Sequence, residues 1–160
     1  MPRITQANNS SEKYSQMFLL LTEAVKAFLG DINKHNLLDM ATDKWTVKDE
    51  LCHIAFWHDY YAKNYAALAA DEKPVLFVSK NGSTRNQEGV DQLHHKSLKY
   101  LINLLNNAQS SLYESIVLNH VPKMTYIVGT EYKTEEFLEI VTGHINRHAV
   151  LVRRAKKINR

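Results

Sequence analysis

The residues best suited to chemistry in this chain are its histidines, of which there are eight. Two of them, His144 and His148, stand four apart in a stretch that reads as the last helix. At about 100° per residue, Phe137, Val141, Ile145, Leu151, Val152 and Ala155 fall on the same side as these two imidazoles. The pair therefore lies on the apolar stripe that should face the protein interior. A desolvated imidazole without a partner costs on the order of 1–3 kcal/mol, so each ring needs either a hydrogen-bonding group or a metal. Imidazoles at i and i+4 can aim their nitrogens at one point, the spacing helical metal sites use. A hydrogen-bonded core pair is the competing explanation of the same spacing.

A third imidazole is available from the second helical stretch, where His53 sits beside Ile54 on the edge of the apolar face, one turn before Trp57. If the second and last helices face each other, His53, His144 and His148 make a three-histidine set. With no carboxylate on the same stripe, that set leaves a coordination position open. His58 competes for the third place from about one and a half turns further along. Cys52 projects away from the Ile54 side and reads as a packing residue. His35 and His120 fall in connections, and His94 and His95 on the third helical stretch read as surface or structural. Trp57, Tyr61 and Tyr126 are candidate walls of a small-molecule pocket, and Arg147 is placed to steer an anionic group.

Four segments must position these residues. The first begins after Ser10-Ser11-Glu12, carries Tyr14, Phe18, Leu21, Val25 and Phe28 at helical spacing, and stops at Gly30. The second opens with Thr46 as N-cap and acids in its first turn, and holds the period from Val47 to Leu68. The third runs as one long helix from about Asn86 to Leu118. A loop bracketed by Pro122 and Gly129 follows, and the fourth helix starts at Thr134 and continues into the basic end. Each amphipathic helix needs a partner for its apolar stripe, so the expectation is an all-α four-helix bundle, one domain over residues 1–160.

Composition agrees. Five glycines and three prolines in 160 residues compare with the roughly 12% of average usage, too few for turn-rich sandwiches, barrels or glycine-rich nucleotide folds. A net charge of +3 is too small to imply a nucleic-acid partner. The excess gathers at Arg153, Arg154, Lys156, Lys157 and Arg160, where cations oppose the negative pole of a last helix. One cysteine excludes an intrachain disulfide or a thiolate zinc cluster. The longest early apolar run, Met17 to Leu21, is too short to span a membrane and lacks the flanks of a secretory signal, so a soluble cytoplasmic protein is expected.

Two stretches carry a resemblance to a known family. Trp45-Thr46-Val47-Lys48-Asp49-Glu50-Leu51-Cys52-His53-Ile54 and His144-Ile145-Asn146-Arg147-His148 resemble the second-helix and last-helix motifs of the DinB/YfiT-like superfamily of four-helix bundles. Chain length, helix order and the Met1-Pro2-Arg3 start are similar to its ClbS/DfsB branch. The resemblance implies a divalent-metal site at His53, His144 and His148, commonly in a homodimer. The tyrosine-rich second helix offers a face for such pairing. It also implies thiol-dependent transfer or isomerisation, or hydrolytic protection against a reactive natural product.

The expected function is therefore that of a metal-dependent enzyme acting on a small reactive molecule, using zinc, nickel or manganese and, in the thiol-dependent case, a low-molecular-weight thiol. A non-catalytic binding or sequestration protein of the ClbS/DfsB type is the alternative, and a purely structural knot of histidines a third. Three ligands rather than four favour the enzyme.

Overall fold

The computed structural model describes residues 3–77 and 82–157, the side chains of residues 3–10 and of Tyr126 excepted. The chain is mostly helical, with five α-helices and one two-stranded sheet among these residues. Helix α1 spans Arg3–Ile32, α2 Val47–Ala69, α3 Gly82–Leu93, α4 Leu98–Tyr113 and α5 Thr134–Arg153. Strands β1, Lys123–Ile127, and β2, Thr130–Lys133, lie between α4 and α5. Helix α2 packs on α4 and α3, and α1 on α5. No described helix is long and apolar enough to cross a membrane.

Helix α1 buries Tyr14, Phe18, Leu21, Val25 and Phe28, the stripe its spacing predicts. It begins earlier than expected and passes through Gly30 to Ile32, which is itself buried and rewards the extra half turn. Helix α2 starts where its cap predicts. Thr46 accepts from the Asp49 backbone N–H, and the Asp49 carboxylate accepts from the Thr46 N–H, a capping box.

The single third helix expected from about Asn86 to Leu118 is divided. Helix α3 ends at Leu93, and Ser97 caps a new helix by accepting from the Tyr100 N–H at 3.2 Å. The apolar positions show why: Leu93 and Leu98 are five apart, which breaks the three-and-four rhythm of one continuous stripe. His94 fixes the corner, its Nδ1 lying 2.6 Å from Asp49 at the start of α2. After α4, a π-helical turn over Glu114–Leu118 admits one extra residue and buries Ser115, Ile116 and Val117 in succession.

The segment read as a loop between Pro122 and Gly129 is instead the first strand and turn of an antiparallel hairpin. Met124 pairs with Tyr132 and Thr125 with Glu131, with a bulge before Ile127. Gly129 takes φ +83° in the turn, a left-handed conformation that favours glycine. Met124 is buried beneath the hairpin. The preceding connection docks here as Phe77 bridges Ile127.

The basic end does not continue the last helix. Helix α5 stops at Arg153, and Lys156 exchanges two backbone hydrogen bonds with Met40 in the connection between α1 and α2. Arg153 lies 3.6 Å from buried Asp31 on α1. This clasp ties α5 back to the α1–α2 corner.

Candidate metal centre

Helices α2 and α5 meet where their histidines lie. His144 Nε2 is 3.0 Å from His53 Nε2 and 3.0 Å from His148 Nε2. The three residues form a group that could hold a metal ion. His53 is buried, and its ring is flanked by the Trp45 indole at 5.0 Å between centroids. His144 and His148 are half-buried.

Burial, followed by the neighbouring rings of His148 and His144, pushes the His53 imidazole down from 6.5 to about 2. Burial, then His148, Arg147 and His58, lowers His144 to about 3. Both rings are therefore neutral, the form that ligates a metal. His148 Nδ1 is hydrogen-bonded to the Glu50 carboxylate, which fixes its proton on Nδ1 and turns its Nε2 lone pair to the cluster.

The donor set fits a divalent ion. At 3.0 Å apart the nitrogens are a few tenths of an ångström closer than the roughly 3.4 Å of tetrahedral ligands on one ion at about 2.1 Å, a gap that small ring movements would close. Without an ion, His144 Nε2 faces two imidazole nitrogens at that distance and can make a hydrogen bond to both only by sharing a single proton. Glu50 adds a second observation. Its side chain is fully buried, and Oε1 has no hydrogen-bond partner among the described residues. A carboxylate so placed needs compensating charge, which an ion on the far side of the His148 ring would supply.

Glu50 was not anticipated at the cluster, which it reaches from behind the His148 ring rather than as a fourth ligand. In the sequence it reads only as a first-turn acid suited to the helix pole. Its spacing three residues before His53, on the interior face with Val47, Leu51 and Ile54, was the available signal. His58 is not part of the cluster. It is buried and lies 2.6 Å from Gln109 Oε1 on α4, while Gln109 Nε2 donates to Thr22 Oγ1 at 3.0 Å on α1. Thr22 donates in turn to the Phe18 carbonyl, so every hydroxyl and amide in this relay has work within the core. Cys52 packs as expected, fully buried, with burial raising its thiol to about 12.

A cavity of about 340 Å³ opens beside the cluster, and His144 belongs to both. Of the expected pocket residues, Trp57, Tyr61 and Arg147 line it. Tyr126 falls outside the described side chains, although its neighbour Ile127 lines the cavity. Phe77, Asn86, Phe137 and Ile140 were not anticipated. Asn86 accepts from the Trp57 indole N–H at 2.8 Å and so holds that wall in place. The Trp57 and Tyr61 rings stack at 5.7 Å and 28°.

No protein-family model, no curated protein and no solved structure matches this chain.

Proposed function

We propose that the chain is a single-domain four-helix bundle of the DinB/YfiT-like type, in its ClbS/DfsB branch, working as a divalent-metal-dependent enzyme on a small reactive molecule. The observation that carries this reading is the convergence of three Nε2 atoms from α2 and α5 beside an aromatic-walled cavity. His53, His144 and His148 would hold the ion, and zinc, nickel and manganese are the candidates. A bound divalent ion would supply Lewis acidity, to acidify a water or a low-molecular-weight thiol or to polarise the substrate.

The chain's own residues do the remaining work. Glu50 holds the His148 ring in one tautomer and orientation. Trp57 and Tyr61 confine the substrate and exclude water, and His144 presents the site to the cavity. A homodimer belongs to the same reading. Of the three second-helix tyrosines, Tyr61 and Tyr65 are buried and do not supply its surface, whereas Tyr60 is half-buried; the large exposed apolar residues include Leu19 and Leu20 of α1. Sedimentation of a species of twice the chain mass would support pairing, and a monomer alone would remove it.

Metal analysis of the purified chain and of His53→Ala, His144→Ala and His148→Ala tests the centre. The expected result is one ion per wild-type chain and sharply reduced content in each variant. A wild type that takes up no zinc, nickel or manganese would remove the enzyme reading and leave sequestration in the cavity as the function.

A further inference from the structure

The cavity beside the histidines has a chemical character of its own. Trp57, Tyr61 and Phe137 give it aromatic walls, and Trp57 and Tyr61 are more than nine-tenths buried. Among the described residues that line it there is no carboxylate, and the one permanent charge is the Arg147 guanidinium. Arg147 is exposed and has no ion-pair partner among the described residues. A cationic ligand would meet repulsion here, and a neutral one would forgo the charge-assisted contact that an anion makes with the guanidinium.

Spacing along α5 adds a length. His144 and Arg147 are three residues apart on the cavity side of the helix, a rise of about 4.5 Å. An anionic group on Arg147 therefore sits one helical turn from the imidazole that joins the cavity to the metal centre. The volume of about 340 Å³ lies at the small end of ligand pockets, about 300–1,000 Å³. One ring with a short side arm fits within it.

Resting on the enzyme reading above, we propose that the substrate class is a small aromatic or branched apolar carboxylate, its anion on Arg147, its ring between Trp57 and Phe137, and its reacting centre a few bonds from the carboxylate at His144. Asn86, already fixed by the Trp57 indole, has its amide N–H₂ left to donate to the substrate's second polar group.

The test uses the full chain and three probes of one shape, phenylacetate, phenylacetamide and phenethylamine, titrated by tryptophan fluorescence with Trp57 as the reporter in the wall. Each titration is run on chelator-treated and on zinc-incubated protein, for wild type and Arg147→Gln. Expected is an order of preference of acid over amide over amine, with about a tenfold gap between acid and amide from one charge-assisted contact. The gap should be present in the chelator-treated protein and vanish in Arg147→Gln, whose thermal melt should match wild type because Arg147 is exposed. A preference that survives Arg147→Gln would overturn the assignment. So would equal binding of acid and amide, or no saturable binding of the acid. Because the gap is read without metal, its failure is separable from failure of the metal centre, which metal analysis alone decides.

Discussion

Glu50 and His58 show how two buried polar groups about two turns apart on one helix serve different ends. One carboxylate oxygen of Glu50 is hydrogen-bonded to His148, and the other has no hydrogen-bond partner among the described residues. Removing it by Glu50→Ala should weaken zinc binding by about 10–100-fold in a competition titration, as loss of a carboxylate behind a ligating histidine does. Glu50→Gln keeps an acceptor for the His148 N–H but not the charge, and should fall between the two. If both variants bind zinc as wild type does, Glu50 serves packing only. His58, held neutral by burial, has its imidazole lowered from 6.5 to about 4, with the Gln109 bond pulling the other way. The unfolded chain takes up this proton below its ordinary value, and the folded chain only near the lowered one. The contribution is therefore complete above pH 6.5 and lost as the pH falls toward 4, by about 3 kcal/mol. Urea unfolding of chelator-treated protein between about pH 7 and pH 4.5 should show it. His58→Gln should flatten the slope in part, leaving the share of His53 and His144, which titrate in the same sense.

At the scale of elements, the α2–α3 contact depends on one missing side chain. A Cβ on Gly89 would lie 2.6 Å from two ring carbons of Phe56. Alanine gains about 1 kcal/mol over glycine inside a helix, but overpacking of this kind costs about 1–3 kcal/mol. The ring carbon at the root of Phe56 is among those touched, so the ring cannot swing clear. Gly89→Ala should thus be destabilising by roughly 1 kcal/mol, and the same change in a Phe56→Leu background should be neutral or stabilising. Equal effects in both backgrounds would show that the close approach does not matter. The consequence reaches the site, because α3 carries Asn86, which holds the Trp57 indole in the cavity wall.

For the whole molecule, an ion at the cluster would join α2 to α5, two helices that otherwise pack mainly on other partners. A ligand present at 100 times its dissociation constant stabilises the folded state by about 2.7 kcal/mol, roughly 5–10 °C in Tm for a chain of this size. Added zinc should raise the melting temperature of chelator-treated wild type by that amount and leave His144→Ala unmoved. An equal rise in both would place the zinc elsewhere.

The sequence by itself determined what local periodicity can carry. Thr46 as a cap, the buried stripe of α1, and His144 and His148 on one face of α5 follow from residues within a turn or two of one another. The five-residue step from Leu93 to Leu98 was also readable as a break, and the alternation of Lys123 to Ile127 before Gly129 as a strand. Sequence alone left open which partners the chain brings back from a distance. His53 and His144 are 91 residues apart, and Glu50 and His148 are 98. Two polar residues on the interior face of α2, His53 and His58, look alike by spacing, and only the packing of α4 and α5 assigns one to Gln109 and the other to the cluster. A helical period fixes the direction in which a side chain leaves its own axis, whereas the group it meets depends on the neighbouring helix and its register, which only the packed tertiary structure decides.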